Sequence, residues 1–267
     1  MSPKIGKENG DQLRTVARSV QVLELVVARG SVTLRDAQRE LGLGHTVAHR
    51  ILQTWTHLQY LTFDSERKIY RAGLKLLWTG MRVRAALDNP DLDARLRRIG
   101  SALGLTANVG VLDGRFVLHV ARHQTRYAPF HVEIGSSLPA HATSLGRILL
   151  AFQPQRAVQR LYGGEHLTSY TAATISDLPL LLADLQAIRE RGYAVSYEMI
   201  EAGTASIAVP LREPGGRVVA AMNAVGPSAS FDADEVRGRI LPTMLEVAGP
   251  PVQLPTLLSG DLVPTER

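Results

Sequence analysis

The chain has 267 residues, enough for two modest domains, with 45% hydrophobic and 21% charged residues, an ordinary balance for a soluble globular protein. No apolar run approaches the roughly 20 residues of a membrane span, the opening MSPKIGKENGDQ lacks the apolar core of a signal peptide, and the absence of cysteine removes disulfides and thiolate chemistry and suits a reducing cytoplasm. The formal net charge of +5 is unevenly spread: residues 1–80 hold 12 Lys+Arg against 7 Asp+Glu, whereas residues 81–267 hold 18 of each. A basic module of this kind neutralises phosphates and releases their counterions, although a basic N-terminal segment can also serve solubility alone.

In chain order, residues 1–12 are polar and read as a disordered arm. Residues 13–28 carry an apolar stripe, Val16, Val20, Leu23 and Val27, and predict a first helix ended by Gly30. Thr33 and Asp36 have capping-box spacing, so a second helix starts there. Gly42-Leu43-Gly44 breaks the pattern. A third helix follows, with Ala48, Ile51, Leu52, Trp55 and Leu58 on one face and His45, Thr46, His49, Arg50 and Gln53 on the other. Residues 60–63 and 69–71 read as short strands around the turn tetrad Asp64-Ser65-Glu66-Arg67. Helix, tight turn, helix and hairpin outline a winged helix-turn-helix. The third helix would lie in a DNA major groove, with Thr46, Val47, His49 and Arg50 reaching bases or nearby phosphates, and Arg67 and Lys68 would hold the wing on the backbone or minor groove. Periodicity alone leaves open an ordinary helical pair with a polar face.

Residues 73–87 predict a helix with Leu74, Leu77, Met81 and Leu87 apolar and Trp78 nearby, ended at Asn89-Pro90. Residues 91–103 predict another, capped by Gly104. The period then changes. Residues 107–112 and 116–121 flank Asp113-Gly114, a strong hairpin signal. Residues 127–134 read as a third strand and 135–139 as a loop. Helices follow from Thr143 or Ser144 to Ala151, over 155–162 and over 178–191. Strands are expected at 193–197, 206–211 and 218–225, the last two joined by Gly215-Gly216. A final helix over 231–247 is interrupted by Pro242, and the tail from Gly249 is expected to lack structure of its own. Hairpins and helices in runs argue for an α+β domain with a twisted antiparallel sheet around a concave pocket.

Catalytic motifs are scarce. There is no Walker loop, no G-x-G-x-x-G and no G-x-S-x-G. His45 and His49 are spaced like a metal pair but lie on the proposed DNA face. His119, His123, His131 and His141 cluster without cysteine or carboxylates, so polar or core roles are favoured and no metal or cofactor is expected. Thr143-Ser144, Ser206 and Asn223 sit at element ends beside apolar residues. They either orient a small ligand or satisfy their own backbone.

Several segments together resemble one family. GLGHTVAHRIL (residues 42–52) with YLTFDSERKIYRAGLKLL (60–77) resembles the DNA-binding domain of IclR-type bacterial transcriptional regulators. LPAHATSLGRILLA (138–151), GYAVSYEMIEAGTASIAVP (192–210) and VAAMNAVGP (219–227) resemble blocks of that family's effector-binding domain. The resemblance spans residues 13–248. It implies a cytoplasmic repressor or activator that binds double-stranded operator DNA as a homodimer or dimer of dimers and answers to a small organic acid, with no membrane partner. It divides the chain into a winged domain (13–78), a linker helix (79–90), an effector-binding domain (91–249) and a tail (250–267). The family pocket maps onto Ser144, Leu145, Ser196, Ser206, Asn223 and Val225, and position adds Asn108 and His141. Backbone N–H groups at the start of the Ser144 helix suit a carboxylate. This chain departs from the pattern at Met199, where an acidic residue is common, at Asn223, where serine is common, and at His45, which replaces a common basic residue. The rivals are a metabolite-binding protein or enzyme whose winged domain serves protein contacts, and an architectural DNA binder without a ligand.

Overall fold

The computed structural model describes residues 13–85, 88–126, 132–164 and 166–254. The chain separates into two compact units, dividing between residues 86 and 87.

The first unit begins with α1 (Arg14–Arg29), closed by Gly30 at φ 73°. A short strand, β1 (Ser31–Thr33), leads into α2 (Leu34–Leu41). The capping box forms as the spacing predicts: the Thr33 hydroxyl accepts from the Asp36 N–H at 3.1 Å, and the Asp36 carboxylate accepts from the Thr33 N–H at 2.9 Å. Gly42, at φ 61°, ends α2 in the left-handed region. α3 (His45–His57) buries Ala48, Ile51 and Leu52. These pack with Val22 and Val26 of α1, Ala37 of α2, and Leu61 and Tyr70 of the strands. Trp55 is fixed at its polar end by an Nε1–H bond to the Ser19 carbonyl, 2.8 Å. β2 (Leu61–Asp64) and β3 (Ile69–Ala72) form the wing, and β1 adds to β3, giving the order β1-β3-β2. α4 (Leu74–Ala85) leaves the wing with no buried residue at all.

The second unit is a six-stranded antiparallel sheet with helices on both faces. Its strands are β4 (Thr106–Asp113), β5 (Phe116–His123), β6 (Ser137–Pro139), β7 (Ala194–Tyr197), β8 (Thr204–Arg212) and β9 (Val218–Pro227), in the order β6-β5-β4-β9-β8-β7. One face carries Val109, Val111, Ile207, Val209, Met222 and Ala224. It packs against Leu96 and Ile99 of α5 (Pro90–Leu103) and Met244 and Val247 of α10 (Leu241–Ala248). The other carries Leu112, Ala208 and Ala221. It packs against α6 (Ser144–Ala151), with α7 (Gln155–Tyr162) and α8 (Leu178–Arg191) behind. α6 is buried along its whole length. Its Arg147, 3% exposed, is held by Asp184 of α8 at 2.6 Å and by the Val195 carbonyl of β7.

Several expectations change. The stripe read for α1 does not carry the core: Val16, Val20 and Val27 are exposed, and Val22 and Val26 turn inward. Leu58, expected on the apolar face of α3, caps the helix and is exposed. Residues 137–139, expected in a loop, form β6, because Phe116–Leu118 leaves a free sheet edge that they pair. Much of the expected strand at 127–134 lies outside the described residues, as does the arm 1–12. Pro242 does not interrupt the last helix: α9 (Ala233–Glu235) passes through a π turn (Val236–Ile240) into α10. The Leu241 N–H reaches the Val236 carbonyl across the wider turn, which absorbs the register change next to the proline ring. The start of the tail is also ordered. Arg95, 8% exposed, donates to the carbonyls of Val247, Pro250 and Pro251, Val252 is fully buried, and its N–H bonds the Arg212 carbonyl at 2.8 Å. Three carbonyls freed by the helix end and two prolines are thereby satisfied by one guanidinium.

Removing one partner of a buried ion pair leaves an uncompensated charge. Asp184→Asn is expected to destabilise the protein by about 3 kcal/mol, read as a lower urea midpoint at unchanged slope. An unchanged midpoint would show that Arg147 is satisfied by the Val195 carbonyl alone.

Candidate nucleic-acid interface and ligand cavity

In the first unit, the residues expected at DNA share one exposed surface of α3. His45, Thr46, Val47 and Arg50 are exposed and His49 is half-buried. Gly44 precedes the helix without a side-chain cap, so the first N–H groups of α3 stay open to an anion. The His45 and His49 rings stack with centroids 6.1 Å apart. At the wing tip the Asp64 carboxylate accepts from the backbone N–H groups of Glu66 (3.1 Å) and Arg67 (3.0 Å). Those bonds, the Arg67 one foremost, hold its carboxyl below the usual range. Lys68 turns at φ 55°. The result is a preformed tip with Arg67 and Lys68 exposed.

In the second unit a cavity lies on the α6 side of the sheet. It encloses about 520 Å³ between atoms when its mouth is counted. Six of the eight expected ligand residues line it: Asn108, Leu145, Ser196, Ser206, Asn223 and Val225. Strand pairing brings them together. Asn108 lies directly opposite Asn223, and Ser206 opposite both Val225 and Ser196, and directly opposed residues share a face. Asn108 Nδ2 donates to Asn223 Oδ1 at 2.9 Å.

Ser144 and His141 are not among the lining residues. Ser144, fully buried, exchanges a 2.7 Å hydroxyl bond with Ser206 and so pins α6 to β8. His141 Nε2 bonds the Thr168 carbonyl at 2.9 Å, and the ring packs beside Tyr162 and Tyr170. Burial, partly offset by the Thr168 bond, lowers its pKa. A third anchor is the Ser196 hydroxyl, which donates to the Ala142 carbonyl at 3.3 Å. Close approach completes the wall: a Cβ on Gly146 would stand 2.2 Å from the Ala140 backbone, so only glycine lets α6 sit against the segment that carries Ala142 and Thr143.

The cavity also contains residues that strand parity does not suggest. His119 and Arg122 both line it although they are an odd number of positions apart on β5. A register shift between Val109 and Gly110 is the cause. Gly110 pairs with His119 but Val109 pairs with Ala121, so Val120 is an extra residue: Val120 and Ala121 both turn to the α5 side, and His119 and Arg122 share the cavity face. Met199, Ile200 and Glu201 close the cavity from the loop after β7. That loop is clamped where Thr171 Oγ1 donates to the Glu198 carbonyl (2.7 Å) and Thr174 Oγ1 to the Met199 carbonyl (2.6 Å). Among the described residues no group of His, Cys, Asp or Glu is placed to hold a metal ion, and no helix is long and apolar enough to cross a membrane.

Two family descriptions cover the two units. The IclR helix-turn-helix domain matches residues 15–65, and the bacterial transcriptional regulator IclR C-terminal domain matches residues 90–250. The chain belongs to the IclR family of transcriptional regulators. This IclR-family chain is 32% identical to the Pca operon regulatory protein of Acinetobacter baylyi, over 82% of this chain and 81% of that protein. It is 29% identical to the p-hydroxybenzoate hydroxylase transcriptional activator of the same species, over 89% and 90% respectively. Among solved structures, an IclR homologue from Microbacterium hydrocarbonoxydans complexed with 4-hydroxybenzoate is 25% identical, with a TM-score of 0.70 over 88% of this chain and 96% of that one.

Within the IclR cavity, His119 is neutral near pH 7. Burial, against the bond to the Ser136 carbonyl, lowers its pKa to about 4. The unfolded chain therefore binds this proton more readily, and stability is lost as pH falls from about 6.5 towards 4. Between pH 7.5 and pH 5 the loss assignable to His119 is about 2 kcal/mol. The stability gap between the wild type and His119→Gln, followed by urea unfolding across that range, should narrow by that amount. A constant gap would mean that the imidazole is protonated in place.

Proposed function

We propose that the cavity of the second unit binds a small organic acid and that the bound acid alters operator binding by α3 and the wing. The observation that carries this reading is the polar group of Asn108, Asn223, Ser206 and Ser196 on a buried sheet face that elsewhere presents leucine and alanine. Such a face needs a polar guest or costly internal pairing. The start of α6, where Thr143 and Leu145 line the cavity, adds partial positive charge from the helix end. Two relatives support an aromatic acid as the first class to try: the activator named for p-hydroxybenzoate hydroxylase and the homologue complexed with 4-hydroxybenzoate. The assignment of operator contacts to His45, Thr46, Val47, His49, Arg50, Arg67 and Lys68 rests on their exposure along α3 and at the wing tip. A cytoplasmic, non-enzymatic role follows from the same regulator reading.

The protein acts as a homodimer on this reading, or as a pair of homodimers. Leu74, Leu77, Trp78 and Met81 of α4 fall at helical spacing and are 83%, 60%, 56% and 62% exposed, and Leu13 and Val16 at the α1 end are 75% and 57% exposed. A second copy of this unit is the occupant proposed for that apolar surface, since two recognition helices read two half-sites.

Fluorescence anisotropy against DNA upstream of the protein's own gene, across a salt series, tests the DNA half. Arg50→Ala is expected to weaken specific binding by about 1–3 kcal/mol, and unchanged affinity would remove Arg50 from the interface. Val225→Phe, which fills the cavity, is expected to abolish calorimetric binding of hydroxybenzoates while leaving ligand-free DNA affinity intact. Retained binding would place the acid elsewhere. Leu77→Glu with Trp78→Glu is expected to halve the mass by light scattering, and an unchanged mass would assign the assembly to another surface.

A further inference from the structure

We infer that Arg122 holds the anionic end of the effector and that Asn108 Oδ1 accepts a hydrogen bond from a donor group on the same molecule. The cavity is thereby assigned to hydroxy acids. This rests on the effector-site reading above and goes beyond it in naming the recognition chemistry and a residue on β5 that supplies it.

Four observations carry the assignment. First, Arg122 is the one cationic residue lining the cavity among the described residues, because His119 is neutral there. Secondly, its guanidinium is incompletely satisfied. One Nη1 bond goes to the Val132 carbonyl, but Nε is buried without a partner, and Arg122 forms no salt bridge among the described residues. Burial already lowers its pKa, against attraction from Glu133, so an incoming carboxylate restores what the cavity withholds. Thirdly, Asn108, 3% exposed, spends its amide N–H on Asn223 and leaves Oδ1 buried with no partner. An unpaired buried acceptor of this kind selects a ligand that donates. Fourthly, the two groups are neighbours by construction. The extra residue Val120 sets Asn108 directly opposite Arg122, and Asn223 lies opposite Asn108 on the other side. Arg122, Asn108 and Asn223 therefore make one polar rung across β5, β4 and β9. Without the bulge, Ala121 would stand opposite Asn108 and the cavity would hold no full positive charge.

This geometry separates Arg122 from the α6 N-terminus as the seat of the carboxylate. The helix end offers only partial charge, and its Gly146 N–H is already taken by the Thr143 hydroxyl, which suits the polar or hydroxyl end of the guest. Arg122 offers a full charge and a free donor, and an ionised acceptor gains more from these.

The test uses the full-length protein and isothermal titration. The probes are benzoate, the three hydroxybenzoates and 2-hydroxypropanoate, each beside its neutral amide. For the wild type, a hydroxy acid is expected to bind at least about tenfold more tightly than its amide and than its hydroxyl-free parent. Arg122→Met is expected to remove the preference for acid over amide while keeping the preference for the hydroxyl. Asn108→Leu is expected to do the reverse, and Arg122→Lys to restore part of the acid preference. Each preference is a ratio measured on one protein, so partial unfolding of a variant cancels. If Arg122→Met keeps the acid preference while Val225→Phe abolishes binding, the effector site stands and the α6 end, not Arg122, takes the carboxylate. If neither acid nor amide binds the wild type, the effector-site reading and this assignment both fall.

Discussion

Everything in the second unit depends on the cost of putting polar side chains on a sheet face that packs against a buried helix. Strand alternation sends residues to two faces. One face is apolar throughout, sealed by α5 and α10. On the other, alanine and leucine meet α6 at one end of the strands, and Asn108, Ser196, Ser206 and Asn223 occupy the other. These groups lose water on folding and must find partners. The chain meets this partly by internal bonds: Ser144 with Ser206, Ser196 with the Ala142 carbonyl, Asn108 with Asn223. Of the buried polar atoms left unsatisfied among the described residues, Asn108 Oδ1 and Arg122 Nε belong to the cavity, while Arg147 Nε and Tyr162 OH lie away from it.

The same bonds tie the cavity to the scaffold. α6 is fixed from two sides, by the Arg147–Asp184 pair to α8 and by the serine pair to β8. Gly146 allows it to sit against residues 140–143, and those residues form part of the wall. A guest that adjusts Thr143 or Leu145 therefore acts on the start of a wholly buried helix. Cores respond to such shifts in discrete steps rather than by smooth deformation.

Much of this was legible from residue order because the signals were local. The Thr33–Asp36 box, the Asp113-Gly114 hairpin, the Gly192 helix stop and the Ala48, Ile51 and Leu52 stripe of α3 each act within a few residues, and each appears where expected. The family blocks added positions that the residues alone did not suggest, Leu145, Ser196 and Val225. What remained hidden depends on partners far away in sequence. The bond that occupies the Ser144 hydroxyl depends on Ser206, which β8 places beside it. The tail looked unstructured because nothing in its own composition announces that Arg95 will bind its carbonyls. β6 is a strand only because Phe116–Leu118 offers an edge. His119 and Arg122 stayed hidden because the bulge at Val120 breaks the alternation on which the reading of β5 relied. The presence of Gly110 at that register, opposite His119, was the available hint.

The central claim is that the cavity and the operator surface are energetically linked, and linkage is reciprocal. The direct measurement is the affinity of the full-length protein for its tightest-binding hydroxy acid, by titration with and without saturating operator DNA. The account predicts that DNA changes the acid affinity by the same factor by which the acid changes DNA affinity. Equal acid affinity in both titrations would leave a cavity that binds without regulating, and would contradict it.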